Sequence, residues 1–261
     1  MMPDWLFYII LFATGLTIGS FINCYVWRRR SNISVAGFSR CVHCGRALAW
    51  WEKVPFFSYF YLRCRCRVCG KRIPGHYHAV EFVVGALFVL VGLLLGQPVG
   101  DEYFQWLILL RDLFFVSCLV IVFLYDLLYQ EILPEVVWVG LLFGALLNLF
   151  FLHQDWRVAL VGLGVGAGFF LLQYLVSKGR WIGGGDVWLG AMLGVWLGWP
   201  VILVVLFFAY LVGALFAVIL LLCKKKEWTS ALPFGVFLTA AAFFALYWGG
   251  AAINWYLGLI K

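Results

Sequence analysis

The chain has 261 residues, of which 65% are hydrophobic and only 12% are charged, and its mean hydropathy is +1.00. This composition lies far outside the range of soluble globular domains and excludes that class. The formal net charge of +7 is explained by loop lysines and arginines that set membrane orientation and attract anionic lipid headgroups, so no nucleic-acid partner is expected.

Apolar runs predict an all-α polytopic membrane protein with about eight transmembrane helices. A helix needs about 20 residues to cross a bilayer, and runs that approach or exceed this length lie at 5–27, 79–96, 106–125, 134–152, 158–177, 201–223 and 231–256. A shorter run at 187–199 is the predicted eighth. We expect a short or tilted helix there, packed through Gly190, Gly194 and Gly198.

The first span begins with Asp4 rather than a basic region, has no small-residue cleavage site and ends in Trp27 and three arginines. These features argue against a removable secretory signal, so we expect residues 1–27 to remain as a membrane anchor. Gly15 and Gly19 form a small-xxx-small pair, which is typical of closely packed helices.

Basic residues cluster in the segment 28–72, at Lys178 and Arg180, and at 224–226. Cytoplasmic loops near span ends carry an excess of lysine and arginine. Eight crossings with an external N-terminus place all these clusters in the cytosol. We therefore predict that the loop domain 28–78 is cytosolic and that the N-terminus is outside.

The loop 28–78 contains two copies of one turn, CVHCGR and CRVCGK. Paired Cys-x-x-Cys knuckles can hold a tetrahedral zinc between four thiolates, and this closed coordination makes the metal structural. Because the cytosol is reducing, disulfides are the poorer explanation, and an empty or redox-active thiol cluster is the alternative. Cys64 is spare, since it lacks the two-residue gap to Cys66, and we expect His43 to be exposed. The predicted ligands are Cys41, Cys44, Cys66 and Cys69.

Two aspartates stand at the cytosolic ends of predicted spans: Asp126 closes the third, and Asp186 precedes the short one. An acid at the edge of a span costs free energy unless it is paired, hydrated or used. Two neighbouring carboxylates can share a proton, so that one activates water while the other protonates the carbonyl or leaving group of a peptide. Gly183, Gly184 and Gly185 would let substrate backbone approach and permit conformations closed to other residues. The structural alternative is that the glycines form a turn and the acids cap helices, a role that suits Asp186.

Five motifs follow one another along nearly the whole chain. The first, G-x-x-x-G-S-F-x-N, spans 15–23, and the two knuckles follow with Pro55 and Ser58 between them. Asp126 precedes Ile132, Leu133 and Pro134, with Leu directly before the proline, and the G-x-G-D and Pro-Phe-Gly motifs lie at 183–186 and 233–235. Together the motifs resemble those of the type IV prepilin peptidases, which are membrane GxGD aspartyl proteases.

The resemblance implies a bacterial inner-membrane enzyme that cleaves the basic leader of prepilins or type II secretion pseudopilins at the cytosolic face. It then N-methylates the new N-terminus with S-adenosylmethionine as methyl donor. Asp126 and Asp186 carry over as the catalytic dyad, the four cysteines as zinc ligands, and 79–261 as the protease domain. Acidic residues that could contact the leader are Glu131, Glu135 and Glu81, although Glu81 could equally cap the second helix.

The chain departs from the family pattern at two places. Trp188 replaces a lysine two residues after the second aspartate. Without this cation the sequence leaves open which aspartate is ionised and at what pH the dyad works best. His76, Tyr77 and His78 stand in place of Arg-Tyr-Pro, a change that affects the expectation of methyl transfer more than that of proteolysis. A transporter would also place acids at glycine-broken helix ends, but no convincing internal repeat is visible. A non-enzymatic zinc scaffold would explain the cysteines but not the two aspartates.

Overall fold

The computed structural model describes residues 3–98, 103–223 and 232–260. This part of the chain is mostly helical, which confirms the all-α class, and seven of its helical segments are long and apolar enough to cross a membrane. The basic segment 224–226 lies outside the described residues. The helices are α1 (Asp4–Arg30), α2 (Phe57–Tyr61), α3 (His76–Leu95), α4 (Tyr103–Tyr129), α5 (Pro134–Ala145), α6 (Trp156–Ser177), α7 (Gly184–Leu197), α8 (Val201–Leu222) and α9 (Phe234–Ile260).

The chain divides into two compact units, one up to Leu113 and the other from Phe114 onward. In the first unit, α1 packs along α3. A Cβ added at Gly15 or at Gly19 would lie 2.7 Å from the α-carbon of Gly85 or of Glu81. The glycine pair therefore brings the two helix backbones together, as the sequence predicted.

The loop between α1 and α2 is fastened to the end of α1 by a buried arginine. Arg28 is only 4% exposed. Its guanidinium donates hydrogen bonds to four carbonyl oxygens, those of Ser34, Val35, Gly37 and Phe38. A buried charge is costly unless it is hydrogen-bonded, and the four carbonyl oxygens compensate the buried guanidinium. Arg28 therefore stabilises the first residues of the loop in addition to any role in membrane topology.

In the second unit, α7 is the central helix. It contacts α5, α6, α8 and α9, and all its residues from Leu189 to its end are buried. A helix that is apolar on every side is a core helix. This explains why the predicted short eighth span, 14 residues long in the structure, is accommodated among longer neighbours.

The close contact between α6 and α7 depends on glycine, as the sequence predicted for α7. Cβ atoms on Gly162 and Gly166 would overlap the carbonyl oxygens of Gly194 and Gly190, respectively. On the α5 side, the Trp196 indole occupies the space beside Gly144 and donates to the Gly140 carbonyl at 2.8 Å. Small residues on three helices thus fix the position of α7, whose first turn carries Asp186.

Candidate functional site

Asp126 lies near the end of α4 and is 5% exposed. Its Oδ2 accepts a hydrogen bond from the Val236 N–H at 3.1 Å. Val236 is the third residue of α9, whose first N–H groups have no partner within the helix. The Pro-Phe-Gly motif at 233–235 therefore begins a helix that holds the first aspartate, a role that the sequence motif did not reveal.

Asp186 is the third residue of α7 and is 7% exposed. Its Oδ2 accepts the N–H of Gly183, the residue that precedes the helix, at 3.1 Å. The capping interaction considered from the sequence is therefore present. Both carboxylates accept backbone N–H groups at the start of a helix, where the helix dipole favours negative charge.

The two aspartates line one cavity of about 1100 Å³ within the second unit. Polar side chains from other helices also reach it: the Tyr210 hydroxyl donates to Gln173 Oε1 at 2.8 Å, and both residues line the cavity. Sequence analysis missed this pair, although polar residues within apolar spans are a signal of function. The remaining lining includes Gln130, Glu131, Ile132, Gly183, Gly185, Arg180, Trp181 and Phe234.

The three glycines before Asp186 differ in their steric importance. A Cβ on Gly185 would lie 2.9 Å from the Ile132 Cβ, whereas those on Gly183 and Gly184 would meet nothing closer than 3.6 Å. Gly184 and Gly185 begin α7, and none of the three has a positive φ. The expectation that these glycines adopt a backbone conformation that other residues avoid was therefore wrong. Glycine is required at 185 because a side chain there would collide with Ile132.

The three predicted acidic contacts are distributed over both units. Glu131 lines the aspartate cavity, and Glu135 lies in the first turn of α5. Glu81 belongs to the first unit, where its Oε2 accepts the Phe56 N–H at 2.7 Å. It stands within α3 rather than at its start, so the alternative that it caps this helix is wrong.

Trp188 packs against Trp138 of α5, with ring centroids 4.4 Å apart, and both side chains are partly exposed. Trp188 does not line the aspartate cavity. A residue two positions beyond Asp186 lies on the other side of the helix. The Lys-to-Trp departure therefore changes an outer face of α7 rather than the lining of the cavity.

The two cysteine knuckles have the same backbone structure. In the first, Gly45 N–H donates to the Cys41 carbonyl and Cys41 N–H to the Arg46 carbonyl; in the second, Gly70 and Cys66 repeat these bonds, all at 2.9 Å. Gly45 and Gly70 have φ values of 71° and 65°, which glycine adopts without a side-chain clash. The structure thus confirms that CVHCGR and CRVCGK form one repeated turn.

The four predicted zinc ligands come together: the Sγ atoms of Cys41, Cys44, Cys66 and Cys69 all lie within 4.8 Å of one another. Zn–S bonds of about 2.3 Å in a tetrahedron require sulfur atoms about 3.8 Å apart, and Cys41 and Cys69 are 4.0 Å apart. Hydrogen bonding from the Cys69 backbone N–H lowers the pKa of Cys66 to about 6, whereas burial and the neighbouring thiols raise the pKa of Cys69 to about 11, so the fit to zinc rests on the sulfur distances. The residues therefore fit a structural zinc, while His43 is exposed as expected.

An ion pair between the half-buried Arg46 and the buried Glu52 supports the first knuckle and was not anticipated from the sequence. Glu52 is 5% exposed. It accepts hydrogen bonds from the Arg46 guanidinium and from the Ala49 N–H. The Arg46 hydrogen bond lowers the pKa of the Glu52 carboxyl below its usual value. Arg46 follows the first knuckle directly, so this pair links the knuckle to the chain beyond it.

The membrane-length helices define a polytopic membrane protein, and two buried aspartates line one of its cavities. Residues 13–95 match the Bacterial Peptidase A24 N-terminal domain, and residues 113–218 match the Type IV leader peptidase family. The chain belongs to the type IV leader peptidase family. It is a multi-pass protein of the bacterial inner membrane and a peptidase that also methylates.

Relatives from distant bacteria match nearly the whole chain. The prepilin leader peptidase/N-methyltransferases of Aeromonas salmonicida (strain A449) and Bacillus subtilis (strain 168) are each 30% identical to it, over 98% and 95% of this chain and 96% and 97% of theirs. The Myxococcus xanthus (strain DK1622) enzyme of the same name is 37% identical over 85% of this chain and 65% of its own length. No solved structure matches the chain significantly.

Proposed function

We propose that Asp126 and Asp186 form the catalytic dyad of an endopeptidase that removes the basic leader of prepilins or type II secretion pseudopilins. The observation that carries this proposal is that the two buried carboxylates line a single cavity of about 1100 Å³. This volume exceeds that of typical small-ligand pockets, which reach about 1000 Å³, and suits an extended segment of peptide.

The hydrogen bond at each aspartate orients its carboxylate for the reaction. Val236 and Gly183 each hold one carboxylate oxygen through a backbone N–H, so the side chains are oriented before substrate binds. One carboxylate removes a proton from water as the water oxygen attacks the peptide carbonyl carbon. The other, protonated, donates to the carbonyl oxygen; when the C–N bond breaks, a proton passes to the leaving amine.

The leader carries positive charge, and acidic groups near the dyad would attract it. Glu131 lines the cavity beside Gln130 and Ile132, and we assign it as a leader contact. Glu135, in the first turn of α5, is a second one. Arg180, at the same cavity, would repel leader cations, so the two charges together would favour one direction of peptide binding.

Zinc and S-adenosylmethionine complete the proposal. The four cysteines would hold a structural zinc that fastens the two knuckles together, because four thiolates leave no open coordination position. The N-methyltransferase name of the relatives supports S-adenosylmethionine as the source of a methyl group for the new α-amine. We further propose that the cysteine loop and the dyad face the cytosol, with the N-terminus outside.

The test is cleavage of an authentic prepilin by the purified protein in liposomes, read as the mass of the product's N-terminus. Asp126→Asn and Asp186→Asn are compared with Asp155→Asn, an exposed acid that caps α6 away from the cavity. Loss of the leader by the unmutated protein and by Asp155→Asn, but by neither dyad variant, supports the peptidase. Absence of cleavage of every authentic prepilin, together with ion-coupled uptake, would replace it with the transporter.

A further inference from the structure

A second cavity, of about 140 Å³, lies in the first unit between α1, α3 and the cysteine loop. Several residues from the family motifs meet there and have no part in the proposed peptide cleavage. Ser20 and Asn23 end the first motif, and Ser58 stands between the knuckles. The other residues used in the argument are Tyr59, His78 and Glu81, which also line this cavity.

Asn23 is 5% exposed, and its orientation is fixed. Its Nδ2 donates to the Tyr77 carbonyl at 2.7 Å. Its Oδ1 is buried without a hydrogen-bond partner in the described part of the chain. Buried acceptors in proteins are normally satisfied by a donor, so a ligand that brings an N–H group to this side of the cavity fits Asn23 Oδ1.

His78 presents a second buried atom of this kind. Its ring stacks on Tyr59 with centroids 3.9 Å apart. Its Nδ1 is likewise buried without a partner among the residues the structure describes. In the tautomer that carries its proton on Nε2, Nδ1 is an acceptor.

Glu81 adds negative charge to these two acceptors. Its carboxylate is held in place by the Phe56 N–H and by a hydrogen bond with the Ser20 side chain. The close contact of α1 with α3 through Gly19 brings Ser20 and Glu81 together. The glycines of the first motif thus position the polar residues on both sides of the cavity.

We propose that this cavity holds the α-amino group that is methylated, with Asn23 Oδ1, His78 Nδ1 and the Glu81 carboxylate accepting its hydrogens. An amine is a small group with several hydrogen-bond donors, which matches a site rich in acceptors. The volume equals that of about four or five water molecules at about 30 Å³ each, so it suits an amino group with its first carbon atoms and not a nucleoside. Arg40 and Lys53 also line the cavity. Arg40 is exposed, and the Lys53 ammonium lies 5.4 Å from the centroid of the exposed Phe38 ring, so solvent screens both charges.

This inference rests on the methyl transfer in the proposed function, and it assigns residues only to the acceptor amine. The amine nitrogen forms a bond to the methyl carbon of a sulfonium donor, while the methyl–sulfur bond breaks and leaves its electron pair on sulfur. Before this step the bound α-ammonium, whose three N–H groups meet the three acceptors, gives one proton to the Glu81 carboxylate, which passes it to solvent and leaves a lone pair on nitrogen. The methylated product is again an ammonium ion, so the transfer releases one proton overall.

The test uses Cys24, which lines this cavity and is not part of the four-cysteine cluster. The full-length, zinc-loaded protein is treated with a thiol-alkylating reagent, and modification of Cys24 is followed by mass spectrometry without any methyl donor. A synthetic peptide with the mature pilin N-terminus is added with its α-amine either free or acetylated. We expect the free amine to protect Cys24 and the acetylated peptide to give no protection.

Glu81→Gln keeps an acceptor for Phe56 but removes the charge, and Asn23→Leu removes the unpartnered oxygen. Each should weaken protection by about 10–100-fold, as expected for the loss of a charged or buried hydrogen bond. The rate of methyl incorporation is divided by the same variant's rate of prepilin cleavage, and this ratio should fall by a similar factor. Prepilin cleavage by the variant also shows that it is folded. Asp4→Asn, an exposed acid at the start of α1, should behave as wild type.

Equal protection by both peptides, or wild-type protection and methylation in Glu81→Gln, would overturn the assignment of this cavity. Because the peptide is already mature, protection is measured even if the protein cleaves no prepilin. Failure of the proposed peptidase and failure of the amine site are therefore separate results.

Discussion

Gly235 lies directly against the carboxylate of Asp126: a Cβ added to Gly235 would stand 2.9 Å from Oδ2. The same oxygen accepts the N–H of the next residue, Val236. The start of α9 therefore both contacts and orients the first aspartate. This relationship gives the Pro-Phe-Gly motif a physical role, because only a residue without a side chain fits at its third position.

Replacing Gly235 by alanine should lower the rate of prepilin cleavage by about 10–100-fold, the cost of displacing a reacting group by a fraction of an ångström to about 1 Å. The added methyl group must push the carboxylate away from Val236. The measurement is kcat with a saturating prepilin. Gly250→Ala, in the same helix with nothing within 4 Å of the new Cβ, is the matched control, and equal rates for the two variants would count against this role.

A single methyl group added where α6 packs against α7 should lower the stability of the protein. Gly162→Ala places a Cβ against the Gly194 carbonyl and within 2.8 Å of the Gly198 α-carbon. Overpacking of this kind typically destabilises by about 1–3 kcal/mol. Unfolding by SDS titration in mixed micelles should show this loss, whereas Gly164→Ala, with no neighbour within 4 Å, should retain stability or gain a little. A Gly162→Ala protein as stable as Gly164→Ala would contradict the packing.

The cysteine cluster should bind one zinc per chain. Cys66→Ser removes a predicted ligand and should abolish stoichiometric metal in the purified protein, since a hydroxyl is a poor substitute for a thiolate at such a site. Cys64→Ser, two residues away and outside the cluster, should keep the metal. Elemental analysis of both proteins after dialysis distinguishes them. Retention of zinc by Cys66→Ser with loss from Cys64→Ser would reverse the assignment of ligands.

The Arg46–Glu52 pair should make stability depend on acid pH. Its hydrogen bond lowers the pKa of Glu52 below the usual value of 4.5. A carboxyl whose pKa is lowered by folding contributes stability above its unfolded pKa and loses it as the pH falls through the folded pKa. The coupling between Arg46→Met and Glu52→Gln in a double-mutant cycle of thermal unfolding should therefore be constant from pH 7 to 5 and shrink below about 4.5. Coupling that grows on acidification would show that the pair does not act in this way.

Much of the fold followed from composition and motif spacing. The membrane-length helices, the repeated knuckles and the glycine contacts of α7 were predicted because each depends on local sequence, namely apolar length, cysteine spacing or small residues one helical turn apart. The sequence also predicted Asp126 and Asp186 as a pair, and the structure brings both to one cavity.

The rest depended on contacts between distant residues. Arg28 belongs to a basic cluster that marks topology, yet its charge is buried against carbonyl oxygens of the following loop. Glu81 was expected either to contact the leader or to cap the second helix, and its hydrogen bond from the Phe56 N–H was not anticipated. Neither partner can be inferred from residue type, because a backbone N–H or carbonyl is present at almost every position of the chain.

The most direct test of the dyad compares Asp126→Asn, Asp186→Asn and the double variant in prepilin cleavage, by single-turnover kinetics in liposomes. Two carboxylates that act as one unit give non-additive losses. We expect each single variant to lose nearly as much rate as the double variant. A single variant that keeps near-wild-type cleavage would show that Asp126 and Asp186 do not cut the peptide together.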